Sequence, residues 1–127
     1  LSPNVVMPEM NFSQVGKKYI NQCVFPPVTD WLRGFMDAEY VITDSFHGTV
    51  FSILFNKPFV VMANRERGMA RLTSLLKKFK LEERWVHSLE DVTDKMLYAP
   101  VDFAKVNQML DIEREKAKIF LMESLNI

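Results

Sequence analysis

Residues 41–49 read Val-Ile-Thr-Asp-Ser-Phe-His-Gly-Thr and place one of the two histidines of the chain, His47, in a short polar turn. An imidazole titrates near neutral pH and can give or take a proton. Asp44 and Ser45 precede it, and both suit either a polar site or the capping position of a helix that starts there. Gly48 permits close backbone approach, and Thr49 reads as a support of the turn rather than a reacting group. The apolar residues before the turn form a strand and those after it form a helix. The turn therefore lies at the carboxyl end of a strand, where open α/β sheets bind ligands, and at a helix N-terminus, which favours an anion.

A second cluster is basic. Residues 65–80 hold Arg65, Arg67, Arg71, Lys77, Lys78 and Lys80 against the single acid Glu66. The lysines read as a solvated face. Arg65 and Arg67 leave a second apolar strand, so both turns open on one edge of the sheet if the two strands are parallel neighbours. Arginine binds phosphate or carboxylate oxygens with two parallel hydrogen bonds, so an anion held between the turns is the expected ligand.

Other chemistries find little support. Ser45 lacks the Gly-x-Ser-x-Gly frame of a nucleophile elbow, and neither Gly-x-Gly-x-x-Gly nor a Walker pattern occurs. His47 and His87 lack the paired spacing of a metal site, so no metal is expected. His87 is given no role. Trp31, Trp85, Phe79 and the scattered methionines read as core or interface.

The elements that position these residues follow from periodicity. Asn4–Met7 and Cys23–Phe25 read as short strands with a polar loop between them, and Pro26-Pro27 as a stop. Thr29 caps a short helix over Asp30–Ala38, with Trp31, Leu32, Phe35 and Met36 at helical spacing. Tyr40–Thr43 reads as a buried strand and Thr49–Phe55 as a helix apolar on nearly every side, ended before Pro58. Phe59–Met62 is a second buried strand, and the resulting crossover is expected to be right-handed. A polar turn over 63–68 leads to an amphipathic helix at 69–79 through Leu72, Leu75, Leu76 and Phe79. Trp85-Val86 reads as an edge strand, and Ser88-x-x-Asp91 as a capping box for a helix to Tyr98. Beyond Pro100, Asp102 caps a last helix to Leu125, with a stripe of Phe103, Val106, Leu110, Ala117, Phe120 and Leu121. Strand-then-helix repetition predicts the α/β class: a Rossmann-like three-layer domain with a mainly parallel sheet.

The whole chain sets the bounds. Its 127 residues match one domain with its own core. Sixteen basic against sixteen acidic side chains leave no bulk field for nucleic acid or an anionic membrane. The single Cys23 forms no internal disulfide, which suits a reducing, cytoplasmic compartment. No apolar run reaches the ~20 residues of a membrane span. The chain opens Leu-Ser-Pro, which suggests a fragment or processed product.

The run Asp37-Ala38-Glu39-Tyr40-Val41-Ile42-Thr43-Asp44-Ser45-Phe46-His47-Gly48-Thr49-Val50-Phe51-Ser52 resembles the polysaccharide pyruvyl transferase family. The likeness extends through Asn56-Lys57-Pro58-Phe59 to Asn64-Arg65-Glu66-Arg67-Gly68 and Arg71-Leu72, with Pro27-Val28-Thr29-Asp30-Trp31-Leu32 upstream, so about residues 26–86 carry it. The resemblance implies two Rossmann-like halves in a glycosyltransferase-B-like arrangement with the active site between them. This chain, residues 1–127, looks like the C-terminal half. It further implies transfer of the enolpyruvyl skeleton of phosphoenolpyruvate to a sugar of a cell-surface polysaccharide, forming a ketal. The donor is a substrate, and no cofactor is expected.

On that resemblance His47 takes the catalytic His-Gly position, Ser45, Gly48, Thr49, Arg65 and Arg67 bind the donor or its anionic groups, and Asp44 supports them. Many members carry Arg-Leu before the histidine, where this chain has Ser45-Phe46. The expected partners are phosphoenolpyruvate, a sugar or glycan acceptor and the N-terminal half. Apolar faces left bare by a missing half would favour a homodimer, and the chain alone is expected to turn over poorly. Two alternatives stay open from sequence: a nucleotide-sugar transferase domain of the same architecture, and a non-catalytic half-domain.

Overall fold

In the computed structural model, which describes residues 27–62 and 69–127, three short parallel strands form a sheet flanked by helices. The order along the described chain is α1 (Val28–Asp37), β1 (Val41–Thr43), α2 (Phe46–Leu54), β2 (Phe59–Met62), α3 (Met69–Phe79), β3 (Trp85–Val86), α4 (Asp94–Tyr98) and α5 (Phe103–Leu125). Single 3₁₀ turns over Glu82–Arg84 and Leu89–Asp91 flank β3. The expected strands at Asn4–Met7 and Cys23–Phe25, the loop between them and the turn over 63–68 lie outside the described residues. The fold is α/β and Rossmann-like.

The sheet runs β1-β2-β3, with Val41 opposite Phe59, Thr43 opposite Val61, and Met62 opposite Val86. Strand β2 is central, and Phe59, Val60 and Val61 are each fully buried. That is why its sequence is a continuous apolar run: a central parallel strand is covered on both faces. Ile53 of α2, Leu72, Leu76 and Phe79 of α3, Leu81, and Val106 of α5 close the core on Phe59 and Val61. Trp31 of α1 meets Phe51 of α2 edge to face at 5.1 Å and Phe35 at 4.7 Å, which seats α1 on α2.

Both α2 and α3 end in the same way. Lys57 N–H donates to the Ser52 carbonyl and Asn56 N–H to that of Ile53, with Asn56 left-handed at φ 54°. Leu81 N–H donates to the Leu76 carbonyl and Lys80 N–H to that of Lys77, with Lys80 at φ 56°. Each is a Schellman closure, which satisfies carbonyls that the helix itself leaves open. Helix α2 thus stops at its own αL residue, ahead of the Pro58 that the sequence marks as the breaker.

The structure corrects several boundaries. Helix α1 is capped by Pro27, whose carbonyl accepts from Asp30 and Trp31 N–H, so Thr29 lies within its first turn. Helix α2 starts at Phe46 rather than Thr49. The capping box at Ser88 is real, since Asp91 accepts from Ser88 N–H at 2.9 Å, but it caps only the 3₁₀ turn. Val92 and Thr93 are extended, and Thr93 caps α4 separately through Met96 N–H. The stripe of α5 packs on the core only over Phe103, Val106 and Leu110. Farther along, Ala117, Phe120 and Leu121 are exposed, Phe120 by 68%.

Candidate functional site

Parallel pairing brings the carboxyl ends of all three strands to one edge of the sheet. Thr43, Met62 and Val86 end their strands there, so His47 and His87, the two histidines of the chain, both follow strands that open on that edge. His47 is exposed in the first turn of α2, and its ring stands edge-on to Phe46 at 5.6 Å between centroids. His87 is exposed beyond β3, where its N–H donates to Asp91.

The β1–α2 turn is built by side chains that bond to its own backbone. Thr43 Oγ1 accepts from Ser45 N–H at 3.1 Å. Ser45 is the N-cap of α2, and its Oγ accepts from Gly48 N–H at 3.4 Å. The Ser45 carbonyl accepts from both the N–H and the hydroxyl of Thr49, each at 3.0 Å. One turn later Ser52 Oγ donates to the Gly48 carbonyl at 2.8 Å. Thr49 and Ser52 are fully buried, so their hydroxyls hold the helix start and do not face solvent.

Gly48 is required by space. A Cβ there would overlap Thr43 Oγ1 and lie 3.1 Å from Thr43 Cβ. The absence of a side chain lets α2 leave the sheet directly over the end of β1.

Among the described residues, no group accepts from the backbone N–H of Phe46 or His47. Two donors at a helix N-terminus, beside an exposed imidazole, form a surface suited to an anion. Asp44 is partly buried in the same turn. Arg65 and Arg67 lie outside the described residues, and so does the second turn, which was expected to hold an anion together with the His47 turn. Arg71 is described: its guanidinium carbon lies 5.4 Å from the centroid of the Phe46 ring. No sequence period pairs residues 46 and 71; the crossover joins them.

Residues 6–66 match the family model described as Polysaccharide pyruvyl transferase. Over this segment the chain is similar to that family. The match covers just under half of the chain and takes in α1, β1, α2 and β2 with the whole His47 turn. It begins at residue 6 and ends at 66, whereas the resemblance seen in the sequence runs over about 26–86. Arg67, Gly68 and Arg71 therefore lie beyond the matched segment. No curated protein and no solved structure matches the chain.

Outside the matched segment, one buried cation escaped sequence reasoning. Arg84 is buried at 4% exposure and donates through Nη1 to the Met96 carbonyl at 2.7 Å and through Nη2 to that of Ala99 at 3.2 Å. It thereby satisfies carbonyls at the carboxyl end of α4, where a cation also opposes the helix dipole. Tyr40 OH donates to the same Met96 carbonyl at 3.3 Å. Burial raises the Tyr40 hydroxyl above its ordinary range, with Arg84 opposing the rise. In the sequence, Glu-Glu-Arg reads as solvated surface, and no local signal marks Arg84 as buried. Among the described residues, no group of His, Cys, Asp and Glu is arranged to hold a metal ion, and no helix is long and apolar enough to cross a membrane.

Proposed function

We propose that this protein forms part of an enzyme that transfers the enolpyruvyl skeleton of phosphoenolpyruvate to a sugar of a surface polysaccharide. The observation that carries the reading is the coincidence of the family match with the His47 turn at the carboxyl edge of a parallel sheet. The donor is an anion with a phosphate and a carboxylate, and the surface at the start of α2 offers N–H groups and an imidazole to such a group.

The chemistry asks for a proton at the methylene carbon of the donor, with positive character growing on the adjacent carbon. A sugar hydroxyl attacks that carbon, the C–O bond to phosphate breaks, and a second hydroxyl closes the cyclic ketal as inorganic phosphate departs. A protonated His47 would supply the proton or hold the phosphate. The Phe46 and His47 N–H groups would bear the negative charge of the leaving group. Ser45 would contact the anion at the cap, Gly48 would keep α2 seated over the end of β1, and Arg65 and Arg67 would add charge. Thr49 would act through Ser45, with Asp44 in support. The acceptor would be bound across a cleft by an N-terminal half in a glycosyltransferase-B-like pair, within the cytoplasm where phosphoenolpyruvate is made. This chain alone would then turn over slowly.

The test is phosphate release by the full-length protein from phosphoenolpyruvate with a glycan acceptor. As the proton donor, His47 substituted by Asn lowers kcat by about 10²–10⁴. As a phosphate ligand, the same change raises KM for the donor with a smaller loss of kcat. Stabilisation by nucleotide sugars without any effect of phosphoenolpyruvate would refute the reading.

A further inference from the structure

We propose that Arg71 is a donor-binding residue of this site, held in place by Phe46 and presenting its guanidinium to the phosphate or carboxylate of the donor. The inference rests on the pyruvyl-transfer reading above.

Phe46 opens α2, and His47 follows it at once. The Phe46 ring has the Arg71 guanidinium at 5.4 Å and the His47 ring at 5.6 Å. One aromatic ring, in the first turn of α2, is thus in contact with both the exposed imidazole and a guanidinium from α3. A guanidinium over a ring uses its face for the aromatic contact. Its N–H donors lie in its plane and stay available for a two-point bond to an oxyanion. Arg71 is exposed, and among the described residues no carboxylate is paired with it.

The turn from Thr43 to Thr49 has no lysine or arginine of its own. A guanidinium is a permanent cation. Position 71 lies outside the segment matched to the family.

Binding of phosphoenolpyruvate to the full-length protein, followed by calorimetry, tests the assignment. Arg71→Ala is expected to weaken binding about ten-fold or more, as for loss of a charge-assisted bond. Arg71→Lys recovers only part of that loss, because an ammonium lacks the planar fork. Phe46→Leu keeps the apolar packing but removes the ring, and weakens binding about two- to five-fold. Each variant's melting temperature is measured alongside, so that a folding defect is seen directly. Full affinity in Arg71→Ala, with affinity lost in His47→Ala, overturns the role of Arg71 and leaves the pyruvyl-transfer reading standing. No binding of phosphoenolpyruvate by the wild-type protein overturns both.

Discussion

Gly48 and Thr43 share a space that admits one side chain. The Thr43 hydroxyl occupies it and accepts from Ser45 N–H, and a Cβ on Gly48 would overlap that oxygen. Gly48→Ala is therefore expected to destabilise the protein by about 2 kcal/mol, from crowding and the disturbed hydrogen bond. Chemical denaturation of the variant checks it. Thr43→Ala in the same chain relieves the overlap, so the double variant is more stable than the sum of the single losses predicts. Strict additivity would sink the explanation.

Arg84 ties the carboxyl end of α4 to the segment entering β3. Arg84→Met keeps much of the side-chain volume but removes the donor to the Ala99 carbonyl and leaves the Met96 carbonyl with Tyr40 alone. The expected loss is about 2–4 kcal/mol, the range for breaking buried charge-assisted bonds. The change should appear in the thermal midpoint, and in hydrogen exchange concentrated at residues 94–99.

Lys80 sits at φ 56°, where a Cβ is disfavoured. Lys80→Gly removes that strain and retains the backbone bonds of the Schellman closure. Stability is expected to rise by about 0.5–1 kcal/mol, read as a higher melting temperature. A fall would mean that the Lys80 side chain contributes more than its backbone geometry costs.

Glu113 of α5 accepts from Lys78 of α3 at 2.6 Å and from Lys116 at 2.9 Å. These two ammonium groups, Lys78 first, hold its carboxyl down to about 2. A carboxyl lowered by folding stabilises above its ordinary range and loses that contribution as the pH falls toward 2. Melting temperatures of the wild type and Glu113→Gln should therefore converge between about pH 5 and pH 2. Added salt should narrow the gap at neutral pH, because the pair lies at the surface.

Much of this fold follows from local pattern. The run Phe59–Met62 has to be a strand covered on both faces, and Leu72, Leu76 and Phe79 recur at the period that turns one helical face inward. The turn at Thr43–Thr49 was equally legible, because an apolar strand, capping residues and a glycine before a second apolar run specify a strand-to-helix corner. Periodicity gave less at element ends. Helix α2 begins three residues earlier than its apolar run suggests, because Ser45 caps it and draws Phe46 and His47 into its first turn. The single helix expected after Ser88 is broken at Val92-Thr93, where a second cap competes with the first.

By itself, the sequence determined the class of fold, the central strand and the strand-to-helix corner that carries His47. Each depends on neighbours within a few residues, and so on backbone geometry and the spacing of apolar groups. Only the tertiary structure decided which cation reaches that turn and which is buried. Arg71 meets Phe46 across 25 positions of sequence, and Arg84 is enclosed by carbonyls that the chain supplies 12 and 15 residues later. Charge alone reads as solvated surface. Crossover from strand to strand turns one arginine toward the candidate site and seals the other beneath α4.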